Sequence, residues 1–323
     1  VISDSETEKP APQPEDPGNA PSPSPDAAPA QSPADGNGAK KKPEKVNWFA
    51  EIRGLAIMLL AVLGFHSLVA KPFYIPSESM MPALLVGDRL VVSKYPYGWS
   101  WVSVSFHLLS RGDWRVAGKT PEYGDIVIAV PPNRAEDYIK RVVALPGDRI
   151  AVVNGRIQLN GKLIPRGVIP KVRIPVDANA PCNGYDYGDA QVRLPSGETV
   201  CELEAYQETM PNGATYTVID HMEQDLDNYP EVVVPEDHVF LMGDNRDHSA
   251  DSRASVERRG LGGPIPLSSV GGRAEFITFS LDGSMGWNPL SWFGAFRGDR
   301  AWDSLRPALA PVAATNEGGD GAN

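Results

Sequence analysis

One long apolar run divides this chain: Gly54-Leu-Ala-Ile-Met-Leu-Leu-Ala-Val-Leu-Gly-Phe-His66-Ser67-Leu-Val-Ala70, 17 residues without a charge. As a helix it spans about 26 Å, the short end of the range for a bilayer crossing. Trp48 and Phe49 before it, and Phe73 and Tyr74 after it, suit the two membrane interfaces. Lys40, Lys41, Lys42, Lys45 and Arg53 precede or open the run, which places the N-terminus in the cytoplasm and the bulk of the chain across the membrane. A buried core helix and a cleaved leader are the competing readings. A basic flank is a poor setting for the first, and Leu68-Val69-Ala70 is a poor small-x-small cleavage site for the second.

From residue 86 to about 280 the pattern changes to short, β-branched, alternating segments: Val86–Ser93, Asp125–Val130, Tyr138–Val143, Arg149–Val153, Val232–Val234 and Val239–Met242. Asn154-Gly155 and Asn160-Gly161 bracket Arg156-Ile-Gln-Leu159 and predict hairpin turns. Asn212-Gly213, between Glu202–Glu208 and Thr215–Ile219, repeats the signal. The fold class expected is mainly β, an antiparallel β-sheet domain behind one N-terminal transmembrane helix. Residues 1–39 are proline-rich and almost free of large apolar side chains, so they are expected to be disordered, as is the tail from Ala313. Trp99–Leu109 reads either as a lipid-facing excursion or as ordinary core. Met285–Trp302, with Trp287, Trp292, Phe293, Phe296 and Trp302, suits a membrane interface. The expected organisation is a cytoplasmic tail over 1–47, an anchor over 48–72, a periplasmic domain over 73–282, and an aromatic segment and tail over 283–323.

The formal net charge of −11 argues against nucleic acid as a partner, because phosphate neutralisation needs a basic face. The histidines, 66, 107, 221, 238 and 248, are scattered without metal-ligand spacing, and neither a metal nor another cofactor is expected. Cys182 and Cys201 are either two unrelated thiols or one structural disulfide, the latter only outside the cytosol.

Candidate chemistry begins at Ile75-Pro-Ser77-Glu-Ser79-Met80-Met81-Pro82, at the exit of the apolar run. Pro76 and Pro82 restrict the backbone on either side of two hydroxyls. A serine hydroxyl needs a base to become a nucleophile. Lys140, in an apolar strand-like run, is a candidate. A free lysine is only about 0.04% neutral at pH 7, and burial raises that fraction. A third group of polar side chains, Gly243 through Arg253, follows an apolar strand. It reads as a loop knitted by Asp–Arg pairs, in which Ser249 can orient a neutral amine. A Ser79–His248–Asp triad is the rival assignment. The Ser-x-x-Lys spacing of penicillin-interacting enzymes is absent, because residue 82 is proline.

Taken together, Ile75–Asp88, Gly124-Asp-Ile-Val127, Asp137–Asp148 and Gly243–Arg253, in that order behind an anchor, resemble bacterial type I signal peptidase. The resemblance covers roughly residues 50–280. It implies a serine/lysine endopeptidase that removes signal peptides from exported preproteins at the outer face of the inner membrane, with preprotein signal peptides and the lipid bilayer as partners. Carried over by position, Ser79 is the nucleophile and Lys140 the general base. The Ser77 hydroxyl and the Ser79 amide form the oxyanion hole, and Ser249 orients the lysine. Asp244, Arg246, Asp251 and Arg253 hold the site together. Phe73, Ile75, Pro76, Met80, Leu84, Val127 and Ile139 fall where the family builds shallow pockets for small side chains. Ala83 replaces a hydroxyl residue, His248 stands where Asn is usual, and Gly260-Leu-Gly-Gly263 replaces an aromatic run. A narrower processing protease of the same type and a non-catalytic membrane-anchored β module remain the alternatives.

Overall fold

The computed structural model describes residues 47–104, 109–133, 135–287 and 291–310. The proline-rich tail, the lysine cluster, the C-terminal tail and part of the Trp99–Leu109 stretch lie outside the described residues. The chain divides into two units after Trp48, and the described strands all lie in the second.

The apolar run forms a helix, Trp48–Leu68, of 21 residues. It is about 31 Å long at 1.5 Å per residue, enough for a bilayer core. None of its most apolar window is buried against protein, so it is not a core helix of this fold. Val69 closes the last turn on the Phe65 carbonyl, and the strand Ala70–Tyr74 starts at once.

That strand is the edge of a seven-stranded antiparallel sheet. Asp88–Ser93 lies beside it, followed in order by Val270–Ser280, Ile126–Ala129, Tyr138–Ala144, His238–Met242 and Ile265–Pro266. Both faces are apolar. Ile75, Met80, Leu84, Leu90, Ile126, Ile128 and Ile277 form one core cluster. Val127, Val142, Val239, Leu241 and Leu267 form another. This two-sided burial shows in Tyr138–Ala144, where every residue from Ile139 to Ala144 is buried, Lys140 and Arg141 included.

Residues 149–233 add smaller antiparallel sheets around a third core that includes Ile150, Ile157, Val218 and Phe240. All three predicted Asn-Gly pairs sit in turns between paired strands. Asn154 and Gly155 have φ of 48° and 74°, and Asn160 and Gly161 have 53° and 79°, the left-handed pair that a two-residue hairpin demands. The expected strand over Glu202–Glu208 is instead two strands, Thr199–Leu203 and Ala205–Thr209, which belong to different sheets. Trp101 and Val102 are buried against Val130, so this part of the Trp99–Leu109 stretch is core. Cys182 and Cys201 are joined in a disulfide.

Beyond residue 282 the chain still packs on the same body. Leu305 sits in the core, Ala308–Leu309 pairs with Ala214–Thr215, and Arg300 donates to Asp88. Trp287, Phe293 and Trp302 stay exposed, with Trp302 stacked on Phe276.

Candidate active site

Ser79 sits in a single 3-10 turn, Glu78–Met80, reached from the edge strand through Pro76. Met80, Met81 and Leu84 are fully buried and pin the turn into the core, while Leu84 N–H donates to the Met80 carbonyl. The Met81-Pro82 peptide is cis. The Ser79 carbonyl accepts from Asn245 N at 3.2 Å, so the turn is fastened to the loop after His238–Met242. Three hydrophobic anchors and one long-range backbone bond therefore fix a serine that is itself only 5% exposed.

Lys140 lies in the Tyr138–Ala144 strand, opposite Val127. Its Nζ donates to Ser79 Oγ at 2.8 Å and to the Ile139 carbonyl at 2.9 Å. Burial pushes its pKa down to about 8, against the pull of Asp251 and Asp244 and with the help of Arg253. A base at about 8 is roughly a tenth neutral at pH 7, some two hundred-fold more than a free lysine. Ser77 Oγ lies 3.4 Å from Ser79 Oγ on the open side of the turn.

Gly243 shows why the loop must come so close. A Cβ there would meet the Ser249 Oγ at 2.2 Å and the Ser79 carbonyl at 2.4 Å. Its N–H donates to Asp251 Oδ2 at 3.0 Å. Burial raises the Asp251 pKa, but the Arg253 guanidinium and two backbone amides outweigh it, and the carboxyl falls below the usual range. The loop is knitted by charge pairs, though not all within itself. Asp251 pairs with Arg253, whereas Asp244 takes a two-pronged bond from Arg141 and Arg246 gives one to Glu208. Arg141 and Glu208 carry no local signal of these roles, because each partner is about a hundred or about forty residues away.

The structure brings together Ser77, Ser79, Lys140 and the Gly243–Arg253 loop. It does not form the lysine-orienting bond expected of Ser249. That hydroxyl is buried without a hydrogen-bond partner, and the amine's bonds go to Ile139 and Ser79 instead. The His248 ring lies tilted against Tyr187 with centroids 4.7 Å apart, and its Nε2 has no hydrogen-bond partner, so the triad geometry is not present.

A cavity of about 550 Å³ opens beside Ser79, and Phe73, Ile75, Pro76 and Ile139 line it as expected from the sequence. Met80, Leu84 and Val127 lie behind it in the core rather than on its wall. In their place Ile128, Tyr138, His248 and Ala250 contribute. Strand alternation accounts for Val127: Ile126 and Ile128 share the cluster of Ile75 and Ile139, and Val127 packs with Val142 in the other. Among the described residues no group of His, Cys, Asp and Glu has the arrangement of a metal site.

The family model for signal peptidase, peptidase S26, matches residues 47–279. Signal peptidase I of Rickettsia typhi is 32% identical over 239 residues, covering 71% of this chain and 80% of that protein. Signal peptidase I of Rickettsia prowazekii is 32% identical over 242 residues, with the same coverage. A solved signal peptidase I from Enterococcus faecalis covers 48% of this chain and 97% of its own at 20% identity, with a TM-score of 0.25.

Proposed function

The chain belongs to the signal peptidase family of S26 peptidases, membrane-anchored serine proteases that remove signal peptides, and on that premise we propose that Ser79 is its nucleophile and Lys140 its general base. The observation that carries this reading is the 2.8 Å contact between Lys140 Nζ and Ser79 Oγ, both buried, with the amine held near a pKa of 8.

The neutral Lys140 amine takes the Ser79 proton as Oγ attacks the carbonyl carbon of the scissile bond. The oxyanion is met by the Ser77 hydroxyl and the Ser79 backbone N–H. The Lys140 ammonium returns its proton to the departing amine, which leaves an ester on Ser79. A water then gives a proton to the same amine and attacks the ester, and the ammonium restores the Ser79 hydroxyl. The cavity wall of Phe73, Ile75, Ile128 and Ile139 suits small apolar side chains next to the cut bond. Asp244, Arg246, Asp251 and Arg253 hold the loop that carries Gly243 and Asn245 against the turn.

The N-terminus faces the cytoplasm and the catalytic body lies outside, in keeping with the basic residues ahead of the helix and with a disulfide, a bond that persists in oxidising compartments. Ser79→Ala and Lys140→Ala are each expected to lower preprotein cleavage at least about 10³-fold with an unchanged melting temperature. Retained cleavage in either overturns the dyad. A loss in His248→Ala as deep as in Ser79→Ala favours the triad. Failure of the wild-type chain to cut unrelated preproteins favours the narrow-substrate reading.

A further inference from the structure

Between the strands Val172–Pro175 and Thr199–Leu203 the chain makes a detour around a disulfide. Cys182 and Cys201 are both buried, with Cα atoms 5.7 Å apart. Immediately after Cys182, Asn183 caps a short helix, Gly184–Tyr187, by accepting from Tyr185 N at 3.1 Å and Asp186 N at 3.0 Å. The sulfur bridge and the cap together fix where Tyr187 sits. Its ring is 3% exposed, in a cluster with Met81, Leu85, Leu203, Ile219 and both cysteines. One face lies against His248, on the wall of the catalytic cavity.

The Tyr187 hydroxyl meets two segments at once. It donates to Glu78 Oε2 and accepts from Asn245 Nδ2 at 3.5 Å. Glu78 immediately precedes Ser79 in the 3-10 turn, and Asn245 N is the donor to the Ser79 carbonyl. One phenol thus ties the turn that presents Ser79 to the loop that fastens it. Burial, reinforced by the bond to Glu78, raises the Tyr187 pKa well beyond the ordinary phenol range. The group stays protonated and remains a donor throughout the working pH range.

We propose that Tyr187, held in place by the Cys182–Cys201 disulfide, is a positioning residue for the Ser79 turn, so that cleavage by this chain depends on a covalent bond remote from the reacting atoms. The proposal rests on Ser79 being the nucleophile. Tyr187 touches no reacting atom. It acts by holding Oγ in line, where a displacement of a fraction of an ångström is felt in the rate.

The test uses the full chain in detergent with a signal-peptide substrate. Tyr187→Phe keeps the ring and its packing and removes the hydroxyl. The expected result is a fall in kcat of about ten-fold, with KM and the pH midpoint near 8 unchanged. Glu78→Gln, which still offers an acceptor, keeps most of the activity, while Glu78→Ala falls as far as Tyr187→Phe. The double variant Tyr187→Phe with Glu78→Ala is no worse than either single. Replacing both cysteines by alanine lowers kcat by a similar factor in the wild-type background and hardly at all in Tyr187→Phe. A Tyr187→Phe enzyme within about two-fold of wild type overturns the proposal, as do additive losses in the double variant or an equal cysteine effect in both backgrounds. Ser79→Ala run alongside separates the two failures. If it still cleaves, the nucleophile assignment is wrong. If it is inactive while Tyr187→Phe is normal, only the positioning role falls.

Discussion

Lys140 suits the proposed role of base because its position is unfavourable for an ordinary lysine. A strand residue that is 4% exposed loses much of the hydration that stabilises its ammonium, and the two nearby carboxylates restore only part of it. The sign of the pH dependence follows. If Lys140 is the base, as proposed, the working form is the neutral amine, so kcat/KM for the free enzyme is expected to rise with pH, pass its midpoint near 8 and level above it. A profile flat from pH 6 to 9, or one with its midpoint near 6.5 as for an unperturbed histidine, contradicts the assignment. Gly243 tests the same geometry from the opposite side. Gly243→Ala places a methyl within 2.4 Å of the Ser79 carbonyl. The turn must shift, and cleavage is expected to fall about 100-fold through kcat, measured on a short peptide so that membrane binding does not enter.

At the scale of elements, the catalytic strand and the supporting loop are joined by ion pairs with almost no solvent exposure. Arg246 and Glu208 link the loop to the Ala205–Thr209 strand, and Arg141 and Asp244 link it to the strand of Lys140. Removing one partner strands a charge in the interior. Glu208→Ala is therefore expected to cost about 3–5 kcal/mol, read as a lower denaturant midpoint, while exposed pairs such as Arg149–Glu231 cost under about 1 kcal/mol. These links mark the limit of what the sequence makes legible. The anchor, the Asn-Gly hairpins and the positions of Ser79 and Lys140 each carry a local signal of period, turn chemistry or motif. The partners of Arg246 and Asp244 do not, since any of 41 acidic or 30 basic residues satisfies the charge and only the sheet order selects one. The same holds for the split at Glu204, where two sheets meet within one apparently uniform segment. It holds too for Val127 and Ile128, neighbours whose assignment to wall or core depends on a face that alternation alone leaves open.

For the whole molecule, the helix Trp48–Leu68 runs into the catalytic body with only Val69 between them. A chain lacking that helix is expected to leave the membrane fraction and to cut soluble peptide at a near-normal rate, yet to lose rate on preproteins held in vesicles. Fractionation and paired assays on the two substrates check this, and equal loss on both contradicts it. We propose that the exposed Trp287, Phe293 and Trp302 add a second, weaker hold on the interface. The abrupt join of helix and strand has one more consequence. An endopeptidase that cuts just beyond apolar spans carries such a span itself, followed at once by peptide bonds of its own. Those bonds are not free to enter a cleft: Ala70 through Tyr74 are each paired with a residue of Asp88–Ser93, and all five pairs would have to open first. The stretch most like its substrate is thus already committed to its own sheet, and self-cleavage there is expected to be slow unless that edge opens.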